Sequence, residues 1–425
     1  MPAGLRINVV SSITEIPAAV WDACANPVPT GPSASAGASF AAASGATSGA
    51  TSDTAYNPFV SYAFLSALEA SRSAVARTGW QPRHLILEDG TETVLGVVPC
   101  YLKSHSRGEY VFDHGWADAY ERAGGHYYPK LQVAVPFTPA TGRRLLVAPG
   151  PQAEVAEVVL LDGLKTLCGR EGHSSVHVTF MTEAEASLAA DYGWLTRTDQ
   201  QFHWDNPGYA TFEDFLDALA ARKRKAIRRE RREAVENGIE ITRLTGAAID
   251  EEAWDAFFAF YMDTGSRKWG RSYLTRDFFS RVGASMADQI LLVMAKREGR
   301  YIAGALNFIG GDTLFGRHWG AVEHHPFLHF ELCYYQAIEF AIERRIPRVE
   351  AGAQGEHKLA RGYLPNTTWS AHHIADPALR RAIADYLKRE RAYVDAAARE
   401  LAAASPFRRD AFDIRPPAEA EMEAD

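Results

Sequence analysis

The segment from residue 290 to residue 351 constrains the fold of this chain more than any other. Its apolar patterning predicts, in order, three strands, a helix and a fourth strand: 290–294, 302–308, 313–315, Glu331–Arg345 and 348–351. The helix is indicated by apolar residues spaced three or four apart, and Pro347 follows its end. A helix inserted between strands in this way predicts a mixed sheet with a helical layer.

The first half of the chain carries a similar pattern. A hairpin is predicted from strands at 83–87 and 94–98, and a third strand at 109–112. In both halves a glycine opens the second strand, and the third ends in Phe-x-x-x-Trp: Gly96 and Gly304, Phe112/Trp116 and Phe315/Trp319. The pattern favours two copies of one domain, and the alternative is two unrelated meanders with chance aromatics.

Strand–strand–strand–helix–strand is the core order of the acyl-CoA N-acyltransferase (GNAT-like) fold, in which two parallel strands splay apart and admit the acyl donor. At 425 residues the chain exceeds one ordinary core. We therefore predict an α/β (α+β) protein of two tandem GNAT-like domains, with mixed sheets flanked by helices. The predicted divisions are domains at 1–200 and 201–405, a flexible Ala/Ser/Gly-rich insertion at 31–54 and a disordered tail at 406–425.

A run of ionisable residues between glycines follows the last of these strands. It reads Glu-Ala-Gly-Ala-Gln-Gly-Glu-His-Lys-Leu-Ala-Arg-Gly-Tyr-Leu-Pro over 350–365 and contains Glu356, His357, Lys358 and Arg361. Ionisable groups at the end of a strand, where glycines allow a ligand to approach the backbone, are typical of a reaction site. A solvated loop is the alternative.

A second concentration of charge lies between the predicted domains. A long helix is predicted from Phe212 to Asn237, with a capping box at Thr211 and Asp214. Residues 222–232 place eight Lys or Arg in eleven positions, which wrap most of the helix and repel one another unless an anion relieves them. The anion would be a diphosphate or a tRNA backbone, and the alternative is a solvated face balanced by nearby acids.

The third predicted strand of the second half ends in Arg317, His318 and Trp319. Alternation along a strand puts Arg317 and Trp319 on one face and His318 on the other, and these residues are candidates for binding an anion or orienting a carbonyl. Users of acetyl-CoA carry Gln/Arg-x-x-Gly-x-Gly/Ala here, which cradles the pyrophosphate. This chain ends the motif in Val322, so a simple acetyl-CoA assignment is weakened.

Charge, cysteine spacing and hydropathy argue against several classes of protein and several kinds of site. A net charge of -8 argues against wholesale nucleic-acid binding, and no DNA partner is expected. The four cysteines lie far apart, and Pro326 interrupts the His324-His325-x-x-x-His329 cluster, so no disulfide framework or metal site is predicted. No stretch of eighteen apolar residues occurs, so we expect no integral membrane segment and a cytoplasmic protein.

Several motifs together resemble a known family, the bacterial peptidoglycan biosynthesis/recognition proteins, which are predicted N-acyltransferases similar to Fem-type aminoacyl transferases. The resemblance rests on segments between Asn57 and about His373, among them Tyr110-Val-Phe-Asp113, Trp116-Ala-Asp-Ala-Tyr120, His329-Phe-Glu-Leu-Cys-Tyr-Tyr335 and Gly352-Ala-Gln-Gly-Glu-His-Lys358. In the Fem relatives the donor is an aminoacyl-tRNA and the acceptor is a side-chain amine on a peptidoglycan precursor. The resemblance implies tandem acyltransferase-fold domains.

The leading hypothesis is an N-acyltransferase whose active site lies in the second domain. Glu356 or His357 would be the base, Lys358 and Arg361 would stabilise an oxyanion or hold a phosphate, and Gln354 would orient the acceptor. The anionic part of a substrate would be held by Lys225, Arg228 and Arg229, and the acceptor groove framed by Asp113, Trp116 and Tyr120. The co-substrate would be acyl-CoA or aminoacyl-tRNA, with no tightly bound cofactor. A non-catalytic protein that recognises peptidoglycan precursors and an RNA-binding module are the alternatives.

Overall fold

The computed structural model describes residues 4–28, 55–269, 272–352 and 355–408. The strands are β1 Arg6–Val10, β2 Trp80–Pro82, β3 His84–Glu88, β4 Val94–Val98, β5 Cys100–Lys103, β6 Lys130–Val133, β7 Leu146–Val147, β8 Ser175–Met181, β9 Leu195–Asp205, β10 Ile239–Thr245, β11 Ile290–Arg297, β12 Arg300–Ile309, β13 Thr313–Ala321, β14 Arg348–Glu350 and β15 Leu364–Ile374. The helices are α1 Ala18–Ala25, α2 Tyr62–Ala70, α3 His114–Arg122, α4 Ala153–Glu171, α5 Glu183–Asp191, α6 Phe212–Ala218, α7 Ala221–Val235, α8 Glu251–Trp269, α9 Arg276–Met286, α10 Leu328–Phe330, α11 Gln336–Arg344 and α12 Pro377–Ala403.

Strands from both halves of the chain form one large sheet. Its order is β10-β11-β12-β13-β14-β9-β15-β8-β6-β5-β2, while β1, β3, β4 and β7 form a smaller sheet. At the centre β9 and β15 pair antiparallel, from Leu364 opposite His203 to His372 opposite Leu195. On each side of this pair lies a parallel pair, β13 with β14 and β6 with β8. The predicted mixed α/β class is confirmed, and each half contributes a parallel pair joined through a helix.

The second-half strands form where the pattern predicts them. β11, β12 and β13 make an antiparallel meander, and β14 follows α10, a π-helical turn at Glu331–Tyr335 and α11. Both faces of β11 are buried, with Leu292 in one apolar cluster and Val293 in another. Burial on both faces explains why this strand reads as a continuous apolar run.

The predicted third strand at 109–112 is wrong. Tyr110 has a left-handed backbone with φ of 63°, so the chain turns there. Glu109 is buried beside Lys130, whose Nζ lies 2.7 Å from Glu109 Oε2. The first-half counterpart of β13 is β6, which begins at Lys130 and lies parallel to β8.

The predicted long helix over 212–237 is two helices. The capping box at Thr211 and Asp214 is present at the start of α6. Leu219 then adopts an extended conformation, with ψ of 153°, and forms a bridge with Phe407. Leu219 is fully buried, so this pairing holds the break between α6 and α7 inside the core.

Some sequence predictions concern residues outside the ranges that the structure describes. The insertion at 31–54, Gln354 and the tail beyond residue 408 fall in this category. The division between residues 200 and 201 falls inside β9, and the assignment of two domains stays a prediction.

Candidate active site

The parallel strands β13 and β14 stay together over only three residues. Thr313, Leu314 and Phe315 lie opposite Arg348, Val349 and Glu350. β14 ends there, whereas β13 continues to Ala321 paired only with β12. The registered pairing of β13 with β14 therefore ends after Phe315 and Glu350, and this is the place where the acyltransferase fold predicts that two parallel strands part.

The corresponding split in the first half has a different chemistry. The last registered pair of β6 and β8 is Val133 with Val178, and both are fully buried. In the second half the last registered pair contains an ionisable group, the carboxyl of Glu350. This difference supports the second half as the place of any reaction.

Lys358 lies beside the second-half gap. It belongs to a 3-10 helix at Glu356–Arg361, its side chain is 2% exposed, and its Nζ donates a hydrogen bond of 2.8 Å to the carbonyl oxygen of Gly352. Burial lowers the pKa of Lys358 to about 8, with a smaller raising effect of Cys333 and a lowering effect of Arg317. The ammonium is thus a strong hydrogen-bond donor in a water-poor site near the strand split.

A β-bulge changes the predicted arrangement of Arg317, His318 and Trp319. The pairing with β12 shifts between Leu306 opposite His318 and Asn307 opposite Gly316, which leaves Arg317 as the extra residue. Alternation is lost at this point, so Arg317 and His318 line one small cavity. The prediction that Arg317 shares a face with Trp319 is therefore wrong.

The contacts of these three side chains follow from the bulge. The Arg317 guanidinium donates a hydrogen bond of 2.7 Å to the carbonyl oxygen of Phe137 from the first half. The His318 ring packs edge-on against Tyr261, with ring centroids 5.1 Å apart. Trp319 packs against His329 of α10, at a centroid distance of 5.1 Å.

The side chains of His357 and Arg361 contact residues of the helices that cover the sheet. His357 is exposed, with its Nε2 2.9 Å from the Tyr334 hydroxyl. Arg361 forms an ion pair of 2.9 Å with Glu230 of α7, and its guanidinium lies 3.4 Å from the centre of the Phe330 ring. Arg361 thus links the Lys358 segment to α7. The side chain of Glu356 lies outside the description.

On the basic helix α7, Arg231 is held by ion pairs with neighbouring acids, and the other Lys and Arg side chains named below face solvent. Arg231 forms ion pairs with the buried Glu331 and with Glu339, at 3.0 and 2.9 Å, and stacks on Phe212. The side chains of Arg228 and Arg229 are 51% and 57% exposed, and they pair with Glu213 at 2.5 Å and with Glu233 at 3.5 Å. A concave surface of about 760 Å³ is lined by cations, namely Arg222, Arg224, Lys225, Arg228, Arg229 and Arg232.

Asp113, a residue of the predicted acceptor groove, lies in the interior of the first half. This carboxylate is buried, accepting hydrogen bonds from Lys130 and from the Tyr127 hydroxyl at 2.6 Å. Burial alone would raise the pKa of Asp113, but the Lys130 charge holds it below its usual range. Lys130, distant in sequence, draws Asp113 into the interior, and a role for Asp113 in an acceptor groove stays a prediction.

Trp116 and Tyr120 lie on α3. Trp116 is 7% exposed beneath the Arg197 guanidinium, which lies 5.2 Å from its ring, and Tyr120 is half-buried. Trp116 also packs against His372 of β15, and β9 separates that strand from β14. These side chains are therefore not brought together with Lys358.

Comparison with known proteins now places the chain. A family model described as FemAB-like, peptidoglycan biosynthesis/recognition, matches residues 12–409. The chain belongs to this family. The resemblance read from the sequence motifs is confirmed.

Solved structures also match this FemAB-like protein at low identity. A crystal structure of FemX is 13% identical, covers 74% of this chain and 93% of its own, and has a TM-score of 0.48. A tandem GNAT protein from the clavulanic acid biosynthesis pathway is 12% identical, covers 88% and 99%, and has a TM-score of 0.44. L-PGS from Bacillus licheniformis is 10% identical, covers 61% and 82%, and has a TM-score of 0.43. No curated protein matches the chain.

The sequence patterns missed Glu350 and His203 as site residues. Glu350 is 5% exposed, and burial raises its pKa to about 8 against the opposing charges of Arg348 and Arg317. His203 on β9 has its Nε2 3.7 Å from Glu350 Oε1. A charged residue inside a predicted buried strand is the signal that could have indicated Glu350. His203 becomes its neighbour only through the pairing of β9 with β14.

Two further observations bear on cofactors and membranes. In the described ranges, no group of three or more His, Cys, Asp or Glu residues is placed to hold a metal ion. Within the same ranges, no helix has both the length and the apolar composition needed to cross a membrane.

Proposed function

We propose that this FemAB-like protein is an N-acyltransferase that transfers an aminoacyl or acyl group to an amine, on a peptidoglycan precursor, at the gap between β13 and β14. The observation that carries the proposal is the buried Lys358 ammonium beside the strand split, close to the ionisable pair of Glu350 and His203. Buried ionisable groups with shifted pKa values in a gap are typical of catalytic sites.

The role of Lys358 is to stabilise negative charge on the reacting carbonyl oxygen. An ammonium has three N–H donors, and the carbonyl oxygen of Gly352 takes one of them. Among the described residues Gly352 is its only hydrogen-bond acceptor, so the other two N–H groups can serve an oxyanion. Such a donor acts most strongly where water is excluded, because the effective dielectric is low.

The donor is an aminoacyl-tRNA in preference to acetyl-CoA. Where acetyl-CoA users place a pyrophosphate loop, β13 continues after the bulge at Arg317, and residues 318–321 pair with β12. Gly320 there serves packing, since an added Cβ would lie 2.2 Å from the carbonyl oxygen of Phe260. The backbone N–H groups of a sheet strand cannot cradle a pyrophosphate in the way a loop does.

The basic face of α7 supports the same donor. Its solvent-facing cations line a surface open enough for a nucleic-acid backbone, and cationic side chains bind phosphates without reading sequence. Lys225, Arg228 and Arg229 lie on this surface, and the Arg361–Glu230 ion pair connects α7 to the segment that holds Lys358. Binding of the carrier on α7 would thus bring the acyl ester to the gap.

The test is a transfer assay on the whole chain. Purified protein is incubated with a UDP-linked muropeptide and with acetyl-CoA, long-chain acyl-CoA or mixed aminoacyl-tRNA, and products are detected by mass. Lys358→Met is compared with Lys388→Met, because Lys388 is 72% exposed on α12. Loss of one oxyanion donor should lower kcat by about 10²–10³ in Lys358→Met and leave the control unchanged.

Two outcomes would change the proposal. Wild-type turnover in a folded Lys358→Met variant would refute the role of the ammonium. Tight muropeptide binding without transfer from any donor would favour the non-catalytic recognition protein instead.

A further inference from the structure

A second cavity lies at the junction of the two halves, on the β14 side of the strand split. Its volume is about 480 Å³, and Glu350, His203, Arg348 and Asp312 line it together with first-half segments that include Asn57. This space could admit an amino-acid side chain with part of its backbone.

Glu350 reaches this cavity because of its place on β14. Its neighbour Val349 is fully buried in the apolar cluster beneath α11, so alternation directs Glu350 to the opposite face. Glu350 is also the last residue of β14 in register with β13, opposite Phe315. The carboxylate therefore lies where the strands part.

The carboxylate is buried without a hydrogen bond from any described residue. Glu350 is 95% buried, and its nearest ion-pair contact is His203 Nε2 at 3.7 Å, too long for a hydrogen bond. His203 is 97% buried and its Nδ1 also has no partner among the described residues. Burying such groups costs free energy unless a ligand satisfies them.

The groups that face Glu350 are mostly engaged elsewhere. Arg348 on its own strand donates to Asp205, Arg317 on β13 to the Phe137 carbonyl, and the buried Arg144 to backbone carbonyls. Asp312 is an acid in the same cavity wall. The neighbouring His203 is neutral, because burial and then the charges of Arg348 and Lys358 hold its pKa well below the usual value.

We propose that this cavity binds the primary ammonium group of the acceptor and that Glu350 is the general base, in place of Glu356 or His357. The inference rests on the proposed acyl transfer. One proton passes from the ammonium nitrogen to the Glu350 carboxylate. The amine lone pair then attacks the donor carbonyl, the C–O or C–S bond to the carrier breaks, and a second proton from nitrogen goes to the departing oxygen or sulfur.

The position of Lys358 fits this assignment. Its charge acts on His203, and the charge of Arg317 acts on both Lys358 and Glu350. Glu350 lies on the cavity wall in the last registered pair of β13 and β14, and Lys358 lies on the 3-10 helix that follows β14. A carboxyl whose pKa is raised toward the working pH is suited to accept and return a proton.

The test measures ammonium binding without any donor. The probe is Nα-acetyl-L-lysine amide, and the matched ligand is Nα-acetyl-L-norleucine amide, which lacks the amine. Calorimetry at pH 7 in phosphate and in HEPES gives the protons released per ligand bound. Wild type should release close to one proton, because an ammonium beside Glu350 ionises a carboxyl whose pKa is about 8.

Glu350→Gln keeps the shape of the protonated carboxyl and should fold. We expect it to bind the lysine probe at least 10-fold more weakly and to release no proton, while Glu298→Gln, 70% exposed, matches wild type. Equal binding of the two ligands, no detectable binding of the lysine probe to wild type, or unchanged proton release in Glu350→Gln would each overturn the proposal.

The transfer assay separates this inference from the proposed function. Acyl transfer that proceeds at the wild-type rate and pH profile in Glu350→Gln refutes the base and leaves the acyltransferase standing. Ammonium binding that depends on Glu350, without transfer from any donor, refutes the acyltransferase and leaves the cavity as a recognition site.

Discussion

Replacing Lys358 with Met should stabilise this protein while it lowers kcat by about 10²–10³. The Lys358 side chain is 2% exposed, and burial lowers its pKa from 10.5 to about 8. At 1.36 kcal/mol per pKa unit, this fall corresponds to a cost of roughly 3 kcal/mol for holding the ammonium in the folded state near pH 7. Loss of the hydrogen bond to Gly352 offsets about 1 kcal/mol. The free energy of unfolding of Lys358→Met should therefore be about 2 kcal/mol higher at pH 7.

The sign of the pH dependence follows from the depressed pKa. Between about pH 8 and pH 10.5 the unfolded chain keeps the Lys358 proton while the folded protein has lost it. Because the unfolded state binds more protons, wild-type stability from this group rises with pH over that window. The advantage of Lys358→Met should be full below pH 8 and shrink toward pH 10.5. Glu350 titrates in both proteins, so its contribution cancels in the difference.

Urea unfolding at pH 7 and pH 9.5 measures the effect. Lys388→Met is the control, and its free energy of unfolding should stay within about 0.5 kcal/mol of wild type because Lys388 is exposed. The argument from burial would be refuted if Lys358→Met were less stable than wild type at pH 7. It would also be refuted if the difference in the free energy of unfolding were the same at both pH values. Gained stability with lost activity is the signature of a site that sacrifices stability for function.

Three other changes test the surroundings of the site. Arg231→Met should lower the free energy of unfolding by about 3 kcal/mol in urea titrations, because it leaves the buried Glu331 carboxylate without its main cation; a change below 1 kcal/mol would contradict this. Lys225→Glu with Arg229→Glu should weaken tRNA binding and flatten its salt dependence in filter-binding titrations while the thermal midpoint stays constant; unchanged affinity would exclude α7 as the RNA surface. Gly320→Ala should destabilise by about 1–3 kcal/mol in thermal unfolding, since the new Cβ would meet the backbone of α8, and a neutral result would show that the helix can move away.

Local patterns predicted much of this fold. The hairpin of β3 and β4 and the meander of β11 to β13 were both readable, because each depends on neighbouring residues. The capping box at Thr211 was readable for the same reason. Period and capping are short-range signals, and they fix elements before any tertiary contact is known.

The errors arose where distant residues decide the outcome. The pattern predicts that Glu109 begins a strand, but Lys130 draws its carboxylate into the interior. Arg317 was assigned by alternation, and a bulge opposite Leu306 and Asn307 breaks that alternation. No local pattern predicts the burial next to Lys130 or the bulge at Arg317, because each depends on which segment of the chain becomes the neighbour in the fold.

The site itself depends on the exchange of β9 and β15 between the halves. β9 comes from the end of the first half and pairs with β14, which brings His203 to Glu350. β15 comes from the second half and pairs with β8 of the first. A fragment cut at residues 200 and 201 would divide β9 and leave β15 without β8, so the wall of the Glu350 cavity would lose its support. The cavity is therefore a property of the whole chain, and the motif at 350–365 alone does not show that Glu350, its first residue, faces His203.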